Sequence, residues 1–353
     1  MKKSLLALAV LGAFAGAASA QSSVTLFGII DLSLNSVKND GAGTRRSMDN
    51  NGINSNRLGF RGVEDLGGGL RAGFHLEGAM SNDTGNAYAP CTITPPATSC
   101  TPSGGQTWQR RSTVSLMGGF GELRLGRDYT PSFWNTTIFD PFGTNGVGSS
   151  LNITHNVGQI TYVRSNNSVG YFLPALGGFY GQVMVAPGEG AAGKYSGGRI
   201  GFAAGPVNVA VSTGSQDTIP GGSTKFKHNS IGGSYKIGPA TLMAQWNDEK
   251  SDTPAGDKET RILVGAAITM GQGEVRVAYT KTDEKDAANR DATQIALGYV
   301  YNLSPRTALY GTYASISNKA GSAFSVAAGG STPGGPTAAG KSTGLQAGLR
   351  HSF

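Results

Sequence analysis

Apolar and polar residues alternate with period two along most of the chain. In residues 70–80, Leu70, Ala72, Phe74 and Leu76 fall on one face and Arg71, His75 and Glu77 on the other. Ile262, Val264, Ala266, Ile268 and Met270 share a face, and Val275, Val277 and Tyr279 oppose Glu274, Arg276 and Thr280. Val207, Val209 and Val211 stand against Asn208 and Ser212; at the end, Leu345, Ala347, Leu349 and Phe353 stand against Gln346 and Arg350. This pattern predicts strands near 24–36, 53–65, 69–80, 107–118, 121–129, 159–173, 179–187 and 195–204. Eight more follow near 206–214, 228–237, 239–249, 259–270, 273–283, 291–301, 307–317 and 342–353. One alternating strand would suit a soluble sandwich equally well.

The links separate the two. Short turns (Leu66-Gly67-Gly68, Gly119-Phe120, Pro174 to Gly178, Gly205, Gly238, Gly271-Gln272, Asn302 to Arg306) take turns with long polar excursions. The long links cover roughly 37–52, 81–106, 130–158, 188–194, 215–227, 250–258, 284–290 and 318–341. An up-and-down meander with all its large loops on one side is the plan of a transmembrane β-barrel, with tight periplasmic turns and long external loops. Closure follows because an open edge would leave backbone groups unpaired in lipid. The expected fold is therefore all-β, a 16-stranded antiparallel barrel, wide enough at that strand number to leave an aqueous channel. Tyr171, Phe172, Phe179, Tyr180, Trp246, Tyr299, Tyr301, Tyr310 and Tyr313, near strand ends, suit interfacial aromatic girdles or scattered sheet positions.

Composition supports an exported single unit. Only 38% of the 353 residues are hydrophobic and 55 are glycine, with almost no 3.6-residue periodicity that would signal helices. Lys2 and Lys3, the apolar stretch from Leu5 to Ala17, and Ala18-Ser19-Ala20 form the three parts of a secretory signal. The expected division is a signal peptide over 1–20 and a barrel domain over 21–353, with Gln21 the new N-terminus. Cys91 and Cys100 lie close together in a Pro/Thr/Ser-rich stretch, where an exported chain favours a local disulfide. No second Cys or His pair stands near them, so zinc is not expected, and no cofactor is implied.

Several segments resemble the general trimeric porins of Gram-negative bacteria, especially the β-proteobacterial type. SVTLFGIIDLSL is similar to that family's first strand, and NRLGFRGVEDLGGGLRAGFHLE to its second hairpin. GGFGELRLGRDYT resembles the approach to the third loop, DPFG a motif within it, RSNNSVGY the strand after it, and GLRHSF the C-terminal strand. The resemblance implies an outer-membrane homotrimer surrounded by lipid and lipopolysaccharide. It also implies a third loop folded into the pore, and a terminal aromatic, Phe353, read by the assembly machinery during insertion. Residues 130–158, the longest link, agree with such a loop.

Strand parity puts Arg57, Arg61, Arg111, Arg124, Arg164, Arg199, Arg261 and Arg276 on the polar face. Acidic candidates are fewer: Asp31, Glu77, Glu122, Asp128 and Glu274, with Asp140 on the third loop. By resemblance Arg57, Arg111 and Arg164 match constriction arginines, with Arg110 beside them, and Glu77 and Asp140 match the acidic groups opposite. Fixed positive charge in a narrow aqueous passage raises the local anion concentration. The expected function is a diffusion channel for ions and small hydrophilic solutes, with an anion preference.

Other signals lead nowhere. Gly335 to Ser342, GPTAAGKS, fits the P-loop expression, but a loop precedes it and a strand follows, so no helix N-terminus cradles phosphate. The arginines are spread singly, without the basic tract of a nucleic-acid binder. His75, His155, His228 and His351 lack metal-ligand spacing. A barrel enzyme would need a nucleophile beside a histidine, and no G-x-S-x-G occurs. An adhesin acting through its loops is the third reading, separated from a pore by conductance.

Overall fold

The computed structural model describes residues 23–87, 107–155, 162–189, 193–218, 224–252, 258–285, 290–319, 321–326 and 334–353. The expected signal peptide and the Cys91–Cys100 pair lie outside them.

The wall begins with β1 (Ser23–Asn39), β2 (Gly43–Asn50), β3 (Arg57–Gly67), β4 (Leu70–Gly78), β5 (Arg111–Gly118) and β6 (Gly121–Tyr129). It continues with β7 (Arg164–Phe172), β8 (Phe179–Ala186), β9 (Tyr195–Ala204), β10 (Val207–Asp217), β11 (Lys225–Ile237) and β12 (Ala240–Ser251). Then come β13 (Lys258–Met270), β14 (Gly273–Glu284), β15 (Ala292–Asn302), β16 (Thr307–Asn318) and β17 (Lys341–Ser352). Apart from β2 and β3, which do not pair with each other, each pairs antiparallel with the next, and β17 returns to pair with β1, from Ile29 opposite Ser352 to Asn39 opposite Ser342. The seventeen segments fill sixteen positions, because β2 and β3 both pair with β1, one along each half of it. The sheet is a closed 16-strand barrel, as the alternation and the links predict.

Three tight turns place glycine at positive φ (Gly205 at 55°, Gly238 at 54°, Gly271 at 60°) as the first of two turn residues. That is the glycine position of a type II′ hairpin, whose twist matches the flanking strands.

The expected long link at 37–52 is instead mostly strand, a tall hairpin turning at Gly41 and Gly43. Above the membrane neither face meets lipid, so the apolar half of the alternation disappears and a strand looks like a polar loop. The second strand then breaks at 51–56. Asp31 accepts hydrogen bonds there from the amides of Ile53 (2.8 Å) and Asn54 (2.7 Å) and from the Tyr310 hydroxyl. Asp31 is thus wholly buried in a structural role and offers no charge to the lumen. Tyr310 is likewise buried inside, not in a girdle; Trp246, Phe179, Tyr299, Tyr301 and Tyr313 do face outward and are exposed.

Hydrophobicity is inverted relative to a water-soluble protein. Ile200, Val211, Ile231, Ile262, Val264, Ile295 and Leu345 are exposed on the outer face, while Ser33, Asn35, Ser230, Asn247, Arg261, Gln294 and Gln346 are buried on the inner one. A continuous apolar exterior is stable only against lipid. No helix among the described residues is long and apolar enough to cross a membrane, so crossing falls to the strands.

The buried apolar cluster lies inside the barrel, where Phe142, Val147 and Ile153 of the third loop meet Leu263, Ala278, Ala296, Ala314 and Ile316 of the wall. That loop, 130–163, holds a helix, α1 (Pro131–Ile138), and a 3-10 turn at Ser150–Ile153. Pro131 fits the first helical turn because its missing N–H would be unpaired there anyway. The Thr130 hydroxyl accepts from the Phe133 amide, capping the helix.

Candidate pore constriction

The third loop has one side against the wall and one side free. Asn135 donates to the Ser230 hydroxyl (2.8 Å), Gln245 to the Thr136 carbonyl (3.0 Å) and Gln294 to the Ser149 carbonyl (2.9 Å). Glycines on the inner wall make sockets for the loop's apolar side chains. A methyl group at Gly232 would overlap the Phe139 ring, at Gly265 it would lie 2.7 Å from Pro141, and at Gly298 2.9 Å from Phe142. At the return of the loop, Arg261 bridges Glu249 (3.1 Å) and Glu259 (3.0 Å), all three buried. The Tyr162 hydroxyl donates to Glu249 (2.9 Å) and accepts from Arg261 (2.9 Å).

Across the lumen stands a guanidinium wall. Arg57 opens β3, Arg110 precedes β5 and Arg164 opens β7. Arg110 donates to Glu77 (2.6 Å) and to the Tyr129 hydroxyl (2.8 Å). Arg164 donates to the same hydroxyl (2.6 Å) and stacks over the Tyr129 ring at 4.2 Å, a cation–π contact. Arg57 reaches Glu77 at 3.5 Å, and His75 approaches its other oxygen at 3.4 Å. The Tyr129 ring stacks in turn on Phe133 of α1, centroids 5.4 Å apart, so the arginine wall and the loop are joined through aromatic contacts.

Between the two sides lies a cavity of about 520 Å³ lined by Arg57, Arg110, Tyr129 and Arg164 on one side and Trp134, Thr137, Ile138 and Phe142 on the other. Arg276, 2.7 Å from Glu274, also lines it. A second lumen chamber is lined by Arg61, His75, Arg111, Glu122 and Arg124. There Asp128 pairs with Arg124 (2.6 Å) and Arg111 (3.7 Å), Glu122 pairs with Arg124 (2.8 Å), and Arg61 lies 5.2 Å from the Phe27 ring.

The structure therefore gathers Arg57, Arg110, Arg164 and Glu77 and places Arg111 in the neighbouring group with Asp128. Asp140 is buried within the loop, accepting from the amides of Phe142 (2.8 Å) and Ser150 (3.1 Å). Burial pushes its carboxyl above the ordinary range. Tyr129, the acceptor that spaces two arginines, escaped the sequence reading. Its only signal was a place at the end of a strand beside Asp128. Phe353 exchanges backbone hydrogen bonds with Gly28 (3.0 and 3.1 Å), closing the barrel at the chain's end. The P-loop-like segment leads into β17, and no helix follows it.

A closed barrel with an apolar outside, a polar inside and a loop narrowing an aqueous passage defines a transmembrane diffusion pore. The comparisons agree. A family model described as Gram-negative porin matches residues 7–321. Outer membrane porin protein 32 of Delftia acidovorans is 40% identical over the whole of both chains. The major outer membrane protein P.IB of Neisseria meningitidis serogroup B is 28% identical, covering 87% of this chain and 91% of its own. A solved anion-selective porin from Comamonas acidovorans superposes with a TM-score of 0.81 at 37% identity, covering 94% of this chain and all of its own. The chain belongs to the Gram-negative porin family. It is an outer-membrane channel protein.

Proposed function

We propose that the pore prefers anions. The observation that carries this reading is the imbalance at the constriction, where Arg57 and Arg110 share one carboxylate, Glu77, while Arg164 donates only to neutral oxygens, the Tyr129 hydroxyl and the Arg110 carbonyl. One guanidinium is a weak filter, since two unit charges 4 Å apart in water interact by only about 1 kcal/mol. Three converging ones in a passage with low-dielectric walls bias the traffic. Arginine keeps its charge throughout the working pH range and suits carboxylates and phosphates, so small organic acids belong among the solutes. The relative described as an anion-selective porin supports the same reading.

We also propose a homotrimer, a cleaved signal over residues 1–20, a Cys91–Cys100 disulfide, Phe353 as the residue read by the assembly machinery, and lipopolysaccharide as a neighbour. The chain acts as a channel and not as an enzyme, consistent with a family of channels.

The test is reconstitution in a planar bilayer across a KCl gradient. Conductance steps in threes with a reversal potential on the anion side are expected. Replacing Arg57, Arg110 and Arg164 together with glutamine should move the reversal potential toward cations; an unmoved potential removes the arginine filter.

A further inference from the structure

We infer that His75 is a further determinant of ion selectivity, gaining charge on acidification and then adding to the pull of the constriction arginines on anions. The inference rests on the anion preference proposed above and gives it a dependence on proton concentration that arginine cannot supply. In β4 the inward positions are Arg71, Gly73, His75 and Glu77, while Phe74 between them is exposed on the outer face. His75 therefore stands one inward layer, about 7 Å, from Glu77 on the side of the tight turn. Arg57 and Arg110 both reach Glu77 through Oε1; the other oxygen, Oε2, faces His75 Nε2 at 3.4 Å. The imidazole is 16% exposed and lines the lumen chamber of about 320 Å³ beside the constriction, so protons and ions in the passage reach it.

Three strands surround it. The register sets Arg61 of β3 directly opposite on one side and Thr113 of β5 on the other. Phe27 of β1 meets the imidazole edge-on, with ring centroids 5.3 Å apart. On β3 the charged neighbours are Arg61 and Arg57; from β5 and the residue before it come Arg111, 3.2 Å from the Thr113 hydroxyl, and Arg110. Arg124 and Glu122 of β6 line the same chamber, and Asp128 binds Arg124 and Arg111. On its own strand stand Glu77 above and Arg71 below.

Every cation in that group is a guanidinium, fixed in charge across the working range. Histidine is the side chain whose charge changes between about pH 5 and 8. Its protonation adds one positive charge where Arg57, Arg110 and Arg164 already face a single carboxylate, Glu77. In water, one unit charge about 7 Å from a passing ion changes that ion's local concentration by roughly two- to threefold. The other histidines do not share this place. His228 is buried against the Tyr162 ring, His155 pairs with Glu284 (3.1 Å) at the return of the third loop, and His351 lies on the outer face with Leu345 and Leu349.

Reversal potentials of the full chain in a planar bilayer across a KCl gradient, at about pH 8 and about pH 5, test the assignment. The parent's anion-to-cation permeability ratio should be about two- to threefold higher on the acid side. His75→Gln keeps a neutral hydrogen-bonding side chain beside Glu77; it should match the parent at the higher pH and lose most of the rise. His75→Lys, charged at both, should hold the higher ratio throughout. Discrete conductance steps in both variants show that the barrel is folded. A His75→Gln variant as steep as the parent overturns the inference, as does a parent whose ratio ignores pH. So does a His75→Gln ratio shifted equally at both pH values, the mark of a strut for Glu77. A cation-preferring parent whose ratio still rises on acidification through His75 would remove the anion preference and keep the role of His75.

Discussion

Arg110 Nε donates to Glu77 Oε1 at 2.6 Å, and this pair sits at the centre of the wall that faces the third loop. Two residues of opposite charge thus share the narrow part of the pore, and their neutralisation should act with opposite signs. Glu77→Gln removes the one carboxylate among three guanidinium groups and should raise the anion-to-cation permeability ratio by a few fold. Arg110→Gln should lower it. Reversal potentials of the two single variants in a KCl gradient check this; shifts in the same direction would sink the arrangement.

Asp140 should behave differently from Glu77. Its carboxyl faces two amides inside the loop, and burial raises its pKa. A raised folded-state pKa contributes stability that is fully present below the unfolded value of about 3.9 and is lost as pH rises through the folded value. The loop is accordingly held best on the acid side of that window. Asp140→Asn should leave ion selectivity near that of the parent and flatten the dependence of thermal stability on pH between about 3.9 and neutrality. A selectivity shift as large as that of Glu77→Gln would instead make Asp140 part of the filter.

Much of the barrel was legible because the membrane imposes alternation wherever a strand meets lipid: Ile262, Val264 and Met270 are exposed on the same outer face. Where that constraint ends, the signal ends. Residues 43–50 are a strand with Met48 as its one large apolar side chain, and their polar composition reads as a loop. The helix at 131–138 docks on hydroxyls, amides and glycine sockets, so it carries no apolar stripe of the usual kind. At the constriction, parity put Arg57, Arg111 and Arg164 on the polar face but gave neither their heights nor their partners, and it did not reach Arg110, which lies just before its strand. Arg110 and Arg111 are neighbours in the chain, yet one joins Glu77 and the other Asp128.

Tyr129→Phe isolates the role of a single hydroxyl. The ring remains to stack on Phe133 and Arg164, but Arg110 and Arg164 each lose an acceptor. Hydrogen bonds to charged groups contribute about 1.5–3 kcal/mol when buried, and less in a wet lumen. Broader open-channel current noise is expected, with a smaller anion preference than in the parent because the two guanidinium groups are no longer held at fixed spacing. Noise and reversal potential identical to the parent would show that packing alone positions them.

Arg261→Met tests what holds the loop's return. Arg261, Glu249 and Glu259 are each about 1% exposed, and Tyr162 of the loop joins them through its hydroxyl. Removing one partner of a buried ion pair leaves uncompensated charge and costs about 3–5 kcal/mol. Here two carboxylates would face each other across β12 and β13, directly opposite in register. The variant should therefore unfold at a clearly lower temperature and show frequent brief closures as the loop leaves the wall. Adding Glu249→Gln and Glu259→Gln to Arg261→Met should recover most of the loss, since a neutral set of similar size has no charge to strand. Failure of that triple variant to recover would mean that shape, not charge, fixes the loop's return.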